Sequence, residues 1–468
     1  MKLMEPRTLN YLADACGGEL RAGAPDTPVR RVCIDSRQVQ PGDLFFAIRG
    51  ERFDGHDYVP DVLRRDVAGV VVHLDGSLAA AGGGRGIIRV ADTRSALGRL
   101  GARYRQEFRL PVIAVAGSNG KTSTKELLAS VLRQKFSVLW SEASFNNDIG
   151  VPLTLLRLEA RHRAAVLELG TNHPGELEPL IRLADPQIGV ITSIGREHLE
   201  FFRNLEGVIA EEGKLAELLP ASGTLFINGD CAGAEAIVRR TTATPVTAGL
   251  GDGNHWRAQN VRFAGGGYRF EIAAPTSEFS GTYELNLLGR AQVVNALLTA
   301  AVAASLGLNR EQIAAGLAEC RPAKMRMELS AINGVQLIND AYNANADSTR
   351  MAFETLAELP VLGRRIAVLG DMAELGDQTA TAHAEMGRLA AQLGLHALFA
   401  VGRHADVTTD AAKADGMSTA RAFTSHEVLA AELGELLREG DALLLKASRA
   451  ARLEQLIPLL SGRKGVEG

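Results

Sequence analysis

Six consecutive residues, Gly117-Ser118-Asn119-Gly120-Lys121-Thr122, follow an apolar run and open an amphipathic one. Glycines let a backbone turn tightly enough for successive N–H groups to point at one anion. A helix start just beyond adds unpaired donors and the positive end of its dipole. In that setting Lys121 would reach the β- and γ-phosphate oxygens of a nucleotide, and the Thr122 hydroxyl would ligate Mg²⁺. The strict pattern G-x-x-x-x-G-K-[ST] is not met, because Val115 stands at its first glycine position. The loop is therefore a variant, and a glycine-rich turn with an incidental lysine is the alternative reading. GTPases, kinases, motors and ligases all use such loops, so the loop alone names no reaction.

Other residues of chemical interest sit at the ends of apolar runs. Glu168 ends the AAVLEL segment, where a strand end presents groups to a ligand; the plain alternative is a charge that solvates the strand end. His198, in GREHLE, lies just past Ile188–Ile194, and a lone histidine is more often structural than a ligand. Asp340, Asn343 and Asn345 in DAYNAN follow an apolar run and read either as turn formers or as ligand contacts.

The elements that must position these groups follow from apolar periodicity. Leu110–Ala116, Ala164–Leu169, Ile188–Ile194 and Gly223–Asn228 read as strands, with Thr122–Gln134 as a helix carrying Leu127, Leu128, Val131 and Leu132. That rhythm predicts a mostly parallel sheet with helices on both faces. Residues 254–288 predict an antiparallel patch, followed by an alanine-rich helix over Val293–Leu306. Beyond Arg321–Pro322 a second small sheet is expected from Gly334–Asn339, Arg365–Gly370, Ala397–Val401 and Asp441–Lys446. Before all of these, Asp43–Ile48 and Ala68–His73 are apolar bursts, Ala79–Gly86 reads as a flexible loop or linker, Ile87–Val90 as a strand and Thr93–Phe108 as a helix.

A chain of 468 residues suggests about three domains. With 46% hydrophobic and 23% charged residues the composition is that of a globular protein, and a net charge of -4 argues against a nucleic-acid-binding surface. Four isolated cysteines form no C-x-x-C pair, which points away from zinc or a redox dithiol and towards a reducing compartment. No signal peptide and no membrane span are legible. The cytosol is the expected location and a monomer the expected state.

Taken in order, DSRQVQPGDLFFAIRGERFDGHDYV, AVAGSNGKTSTKE, SFNNDIGVPLTLL, LELGTNHPGELEPL, IGREHLEFF, MRMEL, NDAYNANADSTR, VLGDMAELG and KASRAARLE resemble the Mur ligase family across nearly the whole chain. The resemblance implies an α/β protein of three domains: a small N-terminal UDP-substrate domain (1–85), a central P-loop ATPase-type domain with a mostly parallel sheet (86–319) and a C-terminal Rossmann-like domain (320–468). It implies an ATP- and Mg²⁺-dependent ligase. GDMAELG and DAYNANADS match a dipeptide-adding member, for which the substrates are UDP-N-acetylmuramoyl-tripeptide and D-alanyl-D-alanine, joined through an acyl phosphate.

Residue by residue, the resemblance makes Gly117, Ser118, Asn119, Gly120, Lys121, Thr122 and Ser123 nucleotide contacts, with Asn295, Arg326, Asp340, Asn343 and Asn345. Lys121, Glu168 and His198 become catalytic. Metal ligands would be Thr122, Glu168 and His198. Substrate contacts would be Ser36, Arg37, Asn146, Asn147, Thr171, Asn172, Lys446, Ser448 and Arg449, with Phe53, Asp54, Gly55 and His56 at the uridine-diphosphate end. Arg37 reads equally as a surface charge.

Two departures from the family pattern stand out. Ala291-Gln292 replaces its His-Asn pair ahead of Asn295. Glu212 stands where the family carries a CO₂-modified lysine, and either supplies a metal-binding carboxylate directly or, with Glu211, merely faces solvent. The rivals are the diaminopimelate- or lysine-adding ligases, whose Asp-Asn-Pro-Arg motif is absent, folylpolyglutamate synthetase, and a P-loop switch without ligase activity.

Overall fold

The computed structural model describes residues 4–50, 52–74 and 84–462. The described residues form four sheets: a two-stranded pair, Arg7–Thr8 with Pro28–Val29, and three larger sheets that follow one another along the chain, each continued by its own helices.

The first sheet has the order Glu19–Ala22, Gly86–Val90, Gly69–His73, Leu44–Phe46, Val32–Cys33, parallel except for its first pair. Residues 79–83 of the expected linker lie outside the described residues, whereas Gly86 already belongs to a strand. Gly86–Val90 pairs with Gly69–His73, so a domain break at 85 would cut this sheet in two. The strand of the first sheet that follows the linker runs to Val90. The following helix, Thr93–Arg105, is capped by Asp92, which accepts from Ser95 N at 2.7 Å. It packs against helix Leu9–Cys16 of the first domain and helix Gly150–Leu155 of the second. Tyr104 is fully buried in that joint, its hydroxyl donating to Leu158 O at 2.8 Å.

The second sheet has nine strands, ordered Gly281–Leu285, Gly267–Ala273, Trp256–Ala264, Thr244–Gly249, Thr224–Asn228, Ile188–Ile191, Val112–Ala116, Ala164–Glu168, Val138–Trp140. Every residue of Val112–Ala116, Ala164–Glu168 and Ile188–Ile191 is buried, as expected for parallel strands covered on both faces. The 254–288 patch continues this sheet: Trp256–Ala264 pairs parallel with Thr244–Gly249 and then antiparallel with Gly267–Ala273. Strands Val138–Trp140 and Thr244–Gly249 escape sequence reading because they are short or rich in threonine and glycine. Ile188–Ile194 is shorter than expected. Its last residues leave the sheet to brace the glycine loop, with Thr192 Oγ1 donating to Asn119 O at 2.7 Å.

The third sheet has six strands, Glu328–Ile332, Val335–Asp340, Ala442–Lys446, Arg365–Gly370, Ala397–Val401, Ala420–Phe423, parallel after the first pair. Among the described residues no helix is long and apolar enough to cross a membrane.

Register decides which loops meet. Glu168 lies opposite Val115 and Ile191 opposite Ala116, so the loops carrying Gly117, Thr171 and His198 leave one edge together. In the third sheet Asp340 and Leu369 both lie opposite Lys446, which gathers 341–345, 371–376 and 447–449 at one edge. The crevice at the carboxyl ends of parallel strands is where α/β folds take ligands.

Candidate active site

The glycine loop needs its glycines. Gly117 has φ +117 and Gly120 φ +89, conformations that side chains disfavour. A Cβ on Gly117 would sit 2.6 Å from Thr192 Oγ1, and one on Gly120 2.9 Å from Asn295 Oδ1. The helix begins at Lys121, one residue earlier than expected.

The first three N–H groups of the loop do not point into the cleft; they hold the loop to the protein. Gly117 N donates to Glu212 Oε2 at 2.7 Å, Ser118 N to Ser193 O at 2.8 Å and Asn119 N to Ser193 Oγ at 2.9 Å. The anion-binding donors are those of the helix start. No side chain caps it, and the first-turn N–H groups have no acceptor inside the helix.

Lys121 Nζ donates to Gly117 O at 2.5 Å and lies 3.5 Å from Glu197 Oε2. Burial works against its charge, but Glu197, Glu212 and Glu168 outweigh burial and hold it above the ordinary lysine range. Burial pushes the Glu212 carboxyl up from the ordinary range, with Lys121 opposing and Glu197 adding to the rise.

Glu168 is 2% exposed and held by Asn146, whose Nδ2 donates to its Oε1 at 2.9 Å. Its Oε2 is buried with no hydrogen-bond partner, as are Glu197 Oε1 and Glu212 Oε1. Buried carboxylate oxygens left unpaired are costly unless a cation neutralises them. Glu168 and Glu197 line the same cleft of about 1420 Å³ as Lys121, Thr122 and His198. That donor set, hard and oxygen-rich with one imidazole, fits a divalent cation.

The sequence assigns Glu197 no role; its place beside His198 in GREHLE is the available signal. Glu212 is not among the cleft-lining residues but sits behind the loop it anchors. Its neighbour Glu211 turns the other way, accepting from Gly175 N and Leu177 N, both at 2.8 Å, and from Thr171 Oγ1 at 3.3 Å. The two glutamates are 6% and 1% exposed. The solvent-facing alternative for them is therefore wrong, because both bracket loops at the sheet edge.

The remaining expected residues divide three ways. Asn146, Asn147, Thr171, Asn172, Arg326, Asn343, Asn345, Lys446, Ser448 and Arg449 line the cleft. Arg326 stacks on the Tyr342 ring at 4.1 Å. Asn345 Nδ2 donates to Asn119 Oδ1 at 3.1 Å, joining the third domain to the glycine loop. Asn147 also steadies the turn ahead of the next helix, accepting from Gly150 N at 2.9 Å.

A second group lies one layer back. Asp340 accepts from Lys446 Nζ at 2.6 Å and from Met327 N at 3.0 Å, so it orients Lys446 instead of facing the cleft. Burial lowers the Lys446 pKa against the pull of Asp340. Asn295 Nδ2 donates to Gln292 Oε1 at 2.9 Å, and Gln292 Nε2 to Ser123 Oγ at 3.3 Å. Ser123 and Gln292 border a small separate pocket with Leu287, Pro322 and Arg326.

Ser36 and Arg37 form the third group. They follow strand Val32–Cys33 at the carboxyl edge of the first sheet, where Arg37 pairs with Asp35 at 2.9 Å and is 86% exposed. Neither lines the cleft, which is reached instead by Asp92, Arg94 and Ser95 at the start of the helix that follows this domain. Asp54, near them, accepts from His56 N at 2.9 Å.

The second and third domains are latched beside the cleft. Arg196 Nε donates to Asp347 Oδ1 at 3.0 Å and its Nη1 to Glu385 Oε2 at 2.9 Å. Ser144 Oγ and Tyr342 OH also meet across the joint.

Comparison with known proteins agrees with this layout. Residues 28–105 match the Mur ligase family catalytic domain, 115–303 the Mur ligase middle domain and 325–449 the Mur ligase glutamate ligase domain. The UDP-N-acetylmuramoyl-tripeptide–D-alanyl-D-alanine ligase of Escherichia coli is 34% identical over 97% of this chain and 98% of its own length. Its Bacillus subtilis counterpart is 33% identical over 97% and 98%. MurF from Acinetobacter baumannii superposes with TM-score 0.90 at 30% identity, covering 98% of this chain and 100% of that one. The Thermotoga maritima MurF ligase in complex with ADP gives 0.81 at 25% identity, over 92% and 97%. Matched by family models in all three parts and by relatives along almost its full length, the chain belongs to the Mur ligase family.

Proposed function

We propose that this chain is an ATP-dependent ligase that joins D-alanyl-D-alanine to UDP-N-acetylmuramoyl-tripeptide. The observation that carries the reading is one cleft in which the Lys121 helix start and Glu168 face Arg326, Asn345 and Lys446 of the third domain. A terminal carboxylate oxygen of the tripeptide attacks the γ-phosphorus of ATP, releasing ADP and leaving an acyl phosphate. The dipeptide amine then attacks the acyl carbon, the C–O bond to phosphate breaks, and the amine's proton is lost.

Each domain has a task in this scheme. The helix start and Lys121 bind phosphate oxygens and offset the repulsion between two anions. Thr122, Glu168 and His198, with Glu197, would hold Mg²⁺, which supplies charge neutralisation at the transferring phosphoryl group. The adenine is assigned to the side of the loop near Ser123 and Asn295, where the pocket beside Gln292 has room for only about one water and would have to open. The strand ends around Ser36, Arg37 and His56 suit the uridine diphosphate, and Asp92 and Arg94 lead from there to the cleft. Lys446, Ser448 and Arg449 suit the acceptor dipeptide. We place the division of these tasks after Val90 and near residue 320.

ADP formation across a panel of UDP-muramoyl peptides and amine acceptors tests the reading. Release of ADP should need both UDP-muramoyl-tripeptide and D-alanyl-D-alanine. Turnover with glutamate and a folate, or nucleotide hydrolysis indifferent to either substrate, would refute it.

Glu212 is proposed to take over the place of the family's modified lysine. It supplies a fixed carboxyl group, one oxygen on the Gly117 N–H and the group facing the Glu197 side chain. The rate should then be the same with and without bicarbonate. Glu212→Ala should lower ADP formation ~10–100-fold, the usual cost of losing a group that supports a metal site. A fully active Glu212→Ala enzyme, or a parent stimulated by bicarbonate, would sink this assignment.

A further inference from the structure

We propose that Glu374, from the third domain, is a positioning residue for His198 of the second, so that the catalytic histidine is oriented only when the two domains meet. His198 Nδ1 lies 2.5 Å from Glu374 Oε2, a close approach whose angle falls outside hydrogen-bond geometry in this structure, so that a small turn of the ring would complete the bond. A carboxylate at Nδ1 fixes the ring's tautomer and rotation, leaving Nε2 with its lone pair to bind. Nε2 is on the side of Glu197, 3.9 Å from its Oε2, and His198, Glu197 and Glu374 all line the cleft.

The loop that carries Glu374 is built to hold it still. Ser448 Oγ donates to Asp371 O and accepts from Ala373 N, both at 2.7 Å. His383, 1% exposed, accepts from Met372 N through Nε2 at 3.1 Å, while its Nδ1 meets Thr379 O at 2.8 Å. His383 is therefore fully engaged in bracing the loop.

Across the joint, Glu200 N donates to Glu374 O at 3.2 Å. A Cβ on Gly376 would lie 3.2 Å from Glu200 Cα, which shows how closely the two backbones approach. His198 and Glu374 both have positive φ, +47 and +61. Such conformations in residues with a Cβ persist where surrounding contacts over-determine them. Here two domains over-determine the same contact. The Arg196 latch to Asp347 and Glu385 is separate from it, so removing the Glu374 carboxylate leaves the docking contacts in place.

The inference rests on the reading of His198 as a cation ligand. The test is a Mn²⁺ titration of the full chain with ADP, followed by the electron paramagnetic resonance of free Mn²⁺, alongside kcat and KM for ATP. Glu374→Gln should weaken Mn²⁺ binding and lower kcat by ~10–100-fold each, with KM for ATP and the melting temperature close to the parent's. In a His198→Ala background, Glu374→Ala should cost nothing further, because its effect passes through the ring.

Glu374→Gln with kcat and Mn²⁺ binding within twofold of the parent overturns the proposal. So does a full additional loss in the His198→Ala background. If His198→Ala itself leaves Mn²⁺ binding intact, the ligand role of His198 fails and this inference with it. If only the Glu374 variants are silent, the ligand role stands and the positioning role alone falls.

Discussion

Lys121→Ala should abolish useful ligation, lowering kcat/KM for ATP on the order of 10³-fold, or about 4 kcal/mol of transition-state stabilisation. The side chain is 14% exposed and lies among Glu197, Glu212 and Glu168. Its ammonium is thus the local counter-charge that lets a polyphosphate approach a cluster of carboxylates. Without it the nucleotide meets those carboxylates with only helix-start donors and metal to offset the repulsion. Lys121→Arg should not restore the rate, because a planar fork does not fit where one ammonium bonds the Gly117 carbonyl. Folding should survive, since Ser193 and Glu212 hold the loop by its backbone. Steady-state ADP release together with a thermal melt checks both halves. A variant within tenfold of the parent would remove Lys121 from phosphate binding.

How much of this was legible depends on how local each signal is. The glycine loop could be read because strand, turn and helix lie within about twenty residues, and the glycines at positive φ are themselves the signal. Glu168 and His198 could be placed at strand ends for the same reason. The function of Glu212 could not be read from its neighbours, because its partner, Gly117, is 95 residues away. Glu211 and Glu212 look like an ordinary charged helix end, and only the packing of their helix under the sheet edge shows that both are buried.

Domain limits were blurred where pairing overrides composition. The glycine-rich run near 85 looks like a linker, but Gly86–Val90 is tied by its ladder to Gly69–His73. The Glu374–His198 pair is the extreme case, since it joins residues of separate domains and neither segment betrays the other. Family likeness supplied the substrates; the residues alone reached a nucleotide site and no further.

Glu168→Gln should lower kcat on the order of 10³-fold while leaving the fold as stable as the parent's or more so. The substitution keeps size and keeps an oxygen for the Asn146 amide, which now donates to Oε1 at 2.9 Å. What it removes is the charge on Oε2, an atom buried without a partner. A buried unpaired carboxylate weakens a fold, and replacing it with a neutral group of the same shape is often neutral or stabilising. Such a site is retained at a cost in stability because it serves a cation and a phosphoryl group. Glu168→Asp makes the converse change: it keeps the charge but draws it back from Asn146, so it should retain more activity than Gln. A melt, a Mg²⁺ activation curve and single-turnover ADP formation on the three enzymes separate the terms. If the Gln enzyme melts well below the parent, Glu168 is chiefly structural. If it turns over within tenfold, the metal is held elsewhere. Loss of activity with an unchanged or raised melting temperature identifies the carboxylate as one that the fold tolerates for the sake of the reaction.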